Sequence, residues 1–195
     1  MEKMYYHASP EANIEILEPR ISNHGVPLVY FSARRENVLV YLSNAVEKYC
    51  KETGFVYTGN WSKWGPYGFG ENGKLVIEEY YPDALFETYA GTEGYIYSVK
   101  DNGSLFSMPE IQNCVVSRKP VQVETAEYIP NTYEAILQAE KEGKLGIVRY
   151  EEFIGKREEW LRRIVRSEYE SAAEHPEYRH FLMGKFAQYL RAEAT

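Results

Sequence analysis

Residues 27–49 read PLVYFSARRENVLVYLSNAVEKY, and the fold turns on this stretch. LVYFS, residues 28–32, is a short β-branched and aromatic run, the pattern of a strand covered on both faces. Ser32 then offers a side-chain oxygen to the backbone N–H groups of the following turn. Val38, Leu42, Ala45 or Val46, and Tyr49 recur at helical spacing, which predicts that the strand passes directly into an amphipathic helix. That helix is expected to stop near Thr53-Gly54, glycine being the preferred residue past a helix end. Tyr30 near the end of the strand and Tyr41 on the helix, eleven positions later, flank the corner between them. Two rings so placed can hold a flat ligand ring. His7, in YYHAS, closes the first predicted strand and can reach the same corner.

Working outward, Lys3–His7 reads as the first strand, broken at Ser9-Pro10, because proline restricts the preceding residue and removes a donor. Asn13–Leu17 alternates as a short edge segment, and residues 22–27 (SNHGVP) form a turn cluster. Phe55–Tyr57 reads as a strand. Residues 60–73 (NWSKWGPYGFGENG) hold four glycines, one proline and four aromatic residues. This is the composition of either a self-packed loop or an aromatic lid. Leu75–Tyr81, Gly94–Val99, Asn113–Ser117 and Val121–Tyr128 read as strands, with a helical turn over Pro82–Tyr89. After Pro130 the character changes. Asn131 with Glu134 makes a cap-like helix start, and helices are expected to Lys141, over Lys156–Ala173 and over Pro176–Ala192. Residues 1–130 are therefore read as a β-rich core and residues 131–195 as a helical extension packed on it.

The length of 195 residues is enough for a substantial core. The net charge of −7 does not favour broad electrostatic contact with nucleic acid or an anionic membrane surface. Residues 1–130 carry 17 acidic and 11 basic groups, against 12 and 11 in residues 131–195. No apolar run reaches the about eighteen residues a membrane span needs, and the N-terminus lacks a signal-peptide pattern. Cys50 and Cys114 are too few for a disulfide framework, so a reducing cytoplasm is the expected location. His175 and His180 lack the partners of a zinc site, and no metal is expected. No P-loop, dinucleotide fingerprint or nucleophile elbow is present.

What remains is His7, Tyr30, Ser32 and Tyr41. YHAS ending a first strand, VYFS after it and Tyr41 eleven positions beyond Tyr30 resemble the ADP-ribosyltransferase superfamily, in its histidine–tyrosine–glutamate branch. That branch includes the diphtheria-toxin-like and poly(ADP-ribose) polymerase enzymes and the rifampin-modifying transferases. The resemblance implies an α+β fold with a bent, split antiparallel β core, and NAD as substrate. It implies that His7 bonds the nicotinamide ribose and that the backbone at Ala8 clamps the nicotinamide amide. Tyr30 and Tyr41 would stack on the nicotinamide, with Ser32 nearby. The family's third element is a glutamate near the start of a late strand, in a frame like Asn-Glu-Tyr-x-Ser-x-x-Pro-Val. Here the frame is Asn113-Cys114-Val115-Val116-Ser117-Arg118-Lys119-Pro120-Val121, so Cys114 stands at the glutamate position. A fixed carboxylate stabilises the oxocarbenium-like ribose formed when nicotinamide leaves, and a neutral thiol does not. Glu110, four residues earlier, is the substitute if its loop folds back.

Two functions follow from the resemblance. One is NAD-dependent ADP-ribosyl transfer to an unknown acceptor, by a transferase or a weakened relative of one. The other is a non-catalytic protein that retains the cleft for NAD or another nucleotide. A related RNA 2′-phosphotransferase is disfavoured by the acidic N-terminal part.

Overall fold

The computed structural model describes residues 3–21, 25–59, 65–70, 73–101, 103–108 and 113–191. It is an α+β structure with antiparallel sheets. The strands are β1 (Met4–Ser9), β2 (Ile16–Leu17), β3 (Arg20–Ile21), β4 (Pro27–Ser32), β5 (Tyr67–Phe69), β6 (Leu75–Glu78), β7 (Gly94–Lys100), β8 (Phe106–Ser107), β9 (Cys114–Ser117), β10 (Val121–Gln122), β11 (Thr125–Ile129) and β12 (Gly146–Val148). The helices are α1 (Ala45–Thr53), α2 (Ala84–Tyr89), α3 (Thr132–Lys141), α4 (Tyr150–Ser171), α5 (Pro176–Lys185) and α6 (Ala187–Leu190), with a 3-10 helix at Arg35–Leu42. Among the described residues no helix is long and apolar enough to cross a membrane.

The chain forms two compact units, each assembled from separate stretches. The first comprises Met1–Leu42, Phe69–Leu75 and Tyr89–Gly146; the second comprises Ser43–Gly68, Val76–Thr88 and Ile147–Thr195. The single boundary expected at Pro130 is not where these units divide, since α3 belongs to the first.

The first unit is organised on a sheet of order β11-β7-β1-β4-β9-β8, with β3 added to β4. As its composition indicates, β4 is covered on both faces: Leu28, Val29, Phe31 and Ser32 are buried. One face carries a core of Tyr5, Leu17, Val29, Phe31, Tyr97, Val99 and Val121. Leu17 and Val121 reach it from the small β2–β10 pair, where they sit opposite one another. The 3-10 helix packs against β1, β4 and β7, and α3 packs against the 3-10 helix.

That 3-10 helix corrects the expectation of one amphipathic helix running out of the strand. Val38, Leu39, Val40 and Leu42 are all buried, so this segment has apolar surroundings on several sides rather than one helical stripe. A new helix begins at Asn44. Its backbone is extended (φ −127°, ψ 116°), and its side-chain oxygen accepts from the N–H groups of Val46 and Glu47 at 2.9 and 3.2 Å. The expected stop is where the sequence puts it: Gly54 is left-handed, with φ 68°. Phe55–Tyr57 is not a strand; the Phe55 N–H instead returns to the Cys50 carbonyl at 2.8 Å, closing the end of α1. The run Val121–Tyr128 divides into β10 and β11, and the last expected helix divides at Phe186 into α5 and α6. Strand β12 had no counterpart in the sequence reading. Three short strands pair in the order β12-β6-β5.

In the second unit α1, α4, α5 and α6 share a core that includes Val46, Cys50, Phe153, Leu161, Phe181 and Phe186. The buried carboxylate of Glu79 fastens two helix starts to it. One oxygen accepts from the Leu85 N–H at 3.0 Å in the first turn of α2. The other accepts from the Tyr150 N–H at 3.3 Å at the start of α4. Helix starts present unpaired N–H donors and a positive dipole end, so one buried anion satisfies both. Glu79→Ala is expected to destabilise the protein by about 2–3 kcal/mol, the usual cost of leaving buried donors unpaired. Glu79→Gln, which keeps one acceptor oxygen, should fall between the two. Urea unfolding of the three proteins measures this.

Candidate ligand-binding cleft

The cleft arises from how β1 meets β4. Strand β1 pairs with β7 along its whole length, from Met4 opposite Lys100 to Ser9 opposite Tyr95. Its register with β4 is a single pair, Tyr6 opposite Ser32. Beyond that rung the ladder is replaced by a side chain: His7 Nδ1 lies 2.9 Å from the Tyr30 carbonyl oxygen. A carbonyl only accepts, so Nδ1 carries the proton and Nε2 presents a lone pair. Burial, the largest influence, holds the His7 pKa below its ordinary 6.5; the Tyr30 carbonyl opposes this, and Arg20 adds to it. The imidazole is neutral at neutral pH.

A cavity of about 460 Å³ opens here, bounded by His7, Ala8 and Ser9 from β1 and by Leu28, Val29 and Tyr30 from β4. Its outer wall is the segment from Pro10 to Arg20, which contributes Glu11, Ile14, Ile16, Leu17 and Glu18. Tyr97 fixes that wall from beneath: its hydroxyl donates to the Glu11 carbonyl at 2.6 Å and receives the Ile14 N–H at 3.4 Å. Glu11 and Arg20 form an exposed ion pair at 3.7 Å. The sequence reading missed this wall. Its one local signal was the Ser9-Pro10 break; the rest depends on Tyr97, far away in the chain.

The expected site residues separate into groups. His7, Ala8 and Tyr30 all border the cavity. Strand alternation nevertheless sends the His7 imidazole to the face of Tyr5 and Phe31. Its ring lies edge-on to Phe31, with centroids 6.0 Å apart. The Tyr30 side chain takes the opposite face, with Ser32. The expectation that the His7 and Tyr30 rings converge is therefore not met; their contact is imidazole to backbone. Tyr41 lies in the 3-10 helix, 51% exposed, and is not among the described residues lining the cavity. The Ser32 hydroxyl accepts the Arg34 N–H at 3.0 Å, the local cap expected of it.

Cys114 opens β9 opposite Ser32. It is set there by Asn113, whose backbone is left-handed (φ 59°). The Asn113 carbonyl accepts the Ala33 N–H at 2.8 Å, and its side-chain amide donates to the Gly73 carbonyl at 2.9 Å. Pairing with Ser32 turns Cys114 to the Tyr30 and Ser32 face, away from the His7 imidazole. Glu110, Trp61 and Trp64 lie outside the described residues, while Tyr67 and Phe69 belong to β5. His175 precedes α5, and His180 within it stacks on Phe55 with centroids 4.2 Å apart. Among the described residues no group of three or more His, Cys, Asp or Glu side chains is arranged to hold a metal.

Burial pushes the Cys114 thiol up to about 11, with a backbone contact to Phe31 opposing it. Cys50 is fully buried, and burial raises its thiol too. Thiolate is the reactive form, and an ordinary thiol titrates near 8.5. Alkylation of the native protein by iodoacetamide at pH 8 should therefore run roughly a hundredfold slower than that of free cysteine. Its rate should climb about tenfold per pH unit toward the Cys114 pKa. Rapid labelling of Cys114 at pH 8 would contradict this environment.

Comparison with family models, with curated proteins and with solved structures returned no match.

Proposed function

We propose that this chain binds NAD, or a nicotinamide-bearing nucleotide, in the cleft where β1 and β4 part, and turns it over slowly. The observation that carries the reading is the His7 side chain. It is a neutral imidazole, held through Nδ1 by the Tyr30 carbonyl so that Nε2 is left as an acceptor, and His7 borders a cavity of about 460 Å³. Such a group accepts from a ribose hydroxyl, the role the resemblance assigns to it. The cavity volume lies in the range of small-molecule sites. The walls formed by Ile14, Ile16, Leu17, Leu28 and Val29 are suited to a planar ring.

Slow turnover follows from the third motif. With its thiol pushed up to about 11, Cys114 is uncharged at neutral pH. It is also turned to the face away from the His7 imidazole, so position 114 offers no anion to an oxocarbenium ion developing there, and loss of one such electrostatic element commonly costs about 10²–10³ in rate. Binding is thus the principal activity in this reading, and transfer to an acceptor is residual.

The test is calorimetric titration with NAD, together with a nicotinamide-release assay. Wild type is expected to bind NAD with release near background, and His7→Ala to bind at least about tenfold more weakly through loss of one hydrogen bond. The pH dependence has a defined sign. The unfolded imidazole takes a proton below pH 6.5, whereas the folded one resists until the pH reaches its lowered value. Stability should therefore start to fall below about pH 6.5, while NAD affinity stays level until the folded His7 is protonated. Absence of NAD binding at millimolar concentration, or an unchanged affinity in His7→Ala, overturns the reading.

A further inference from the structure

We propose that a second, separate groove, between β8 and the turn that follows β9, binds a phosphate-bearing small molecule. The groove is a cavity of about 530 Å³ lined by Gly103, Ser104, Phe106, Arg118 and Lys119. Phe106 pairs with Val116 in the sheet, so alternation along β9 puts Arg118 on the same face as the Phe106 ring. The Arg118 guanidinium carbon lies 5.4 Å from that ring's centroid. A cation–π contact of this kind restrains a guanidinium, whose five N–H groups offer donors to a ligand.

Lys119 is placed by the turn itself. The buried Ser117 hydroxyl accepts the Lys119 N–H at 3.0 Å and donates to the Lys119 carbonyl at 2.8 Å. This clamps the backbone beside Arg118, and both cationic residues line the groove. Elsewhere in the chain comparable cations meet carboxylates: Arg35 with Glu127, Arg157 with Glu78, and Lys185 with Glu87. Among the described residues, neither Arg118 nor Lys119 has a carboxylate within ion-pair distance, and none lines the groove. Asp101, close by in sequence, is engaged by the Gly103 N–H at 2.8 Å.

The chemistry of the occupant follows. Adjacent like charges repel, and a dianion relieves this for both at once. Arginine meets a phosphoryl group through two parallel N–H donors, and lysine adds a point charge. Phe106 is partly exposed and lines the groove, which suits a planar group attached to the phosphate. Both cations are exposed, so the attraction is screened by salt.

Inorganic pyrophosphate is the probe, titrated into the full chain at low ionic strength. Wild type is expected to bind it, the Arg118→Gln, Lys119→Gln double variant at least tenfold more weakly, and added salt to weaken wild-type binding. His7→Ala should bind as wild type does, which separates this groove from the NAD cleft. On the wild type, pyrophosphate should shift the amide resonances of Gly103, Ser104, Phe106, Arg118 and Lys119; this mapping decides the matter even if the double variant folds poorly. Affinity of the double variant within twofold of wild type, no wild-type binding at millimolar pyrophosphate, or shifts confined to other residues would overturn the proposal.

Discussion

Strands β1 and β4 meet at one residue pair, Tyr6 with Ser32, and the first unit depends on what happens immediately beyond it. A sheet that parts leaves backbone acceptors without ladder partners, which is costly unless another donor takes them. His7 is that donor. Its Nδ1–H meets the Tyr30 carbonyl at 2.9 Å, so the strands separate without an orphaned acceptor, and the space between them becomes a cavity rather than a packing fault. The same bond selects the tautomer and leaves Nε2 as an acceptor. The parting of the strands, the imidazole's tautomer and the floor of the cleft thus meet in one hydrogen bond.

How much of this is legible in the sequence depends on how local the cause is. The LVYFS strand, the Ser32 cap, the Asn131 helix start and the Gly54 stop rest on neighbouring residues, and each is found where the sequence puts it. The 3-10 helix at Arg35–Leu42 was not legible, because its form follows from being buried among β1, β4, β7 and α3. Asn44 carried a usable signal, a capping residue inside an apparent helix, but the apolar spacing through Val38, Leu42 and Val46 masked it. The cavity wall from Pro10 to Arg20 is the clearest long-range case. Two hydrogen bonds to Tyr97, more than eighty residues away, hold it over the sheet. Nothing in residues 10–20 alone announces a binding wall.

The second unit solves a different problem, holding several helices in register with little sheet to guide them. Glu79 does so at two helix starts. Close packing does so elsewhere: a Cβ on Gly184 would fall 1.9 Å from the Tyr49 hydroxyl oxygen, so α5 can approach α1 this closely only with glycine there. Tyr49 has little room to retreat, with Phe181 edge-on at 5.8 Å and the Lys185 ammonium 4.8 Å from its ring. Helix α4 bends at Arg157, whose backbone leaves helical geometry (φ −136°, ψ 20°). The guanidinium of that residue sits over Trp160 at 4.3 Å and bonds to Glu78 at 2.9 Å. Polar and aromatic anchors at helix starts, crossings and bends set the geometry of this unit as much as apolar burial does.

The position of Cys114 bears on chemistry through its surroundings as much as its identity. It shares a rung with Ser32, on the face opposite the His7 imidazole, and burial keeps its thiol protonated. A glutamate side chain at that rung would meet the same burial, which disfavours charge, and would need donors to remain ionised. The described surroundings of the rung therefore hold a neutral group at lower cost than an anion. A neutral thiol here and a neutral imidazole across the sheet are consistent with each other. The two neutral groups lie on opposite faces of the sheet, and the proposed function, which draws on His7 for binding and has no carboxylate at position 114, accordingly places binding ahead of turnover.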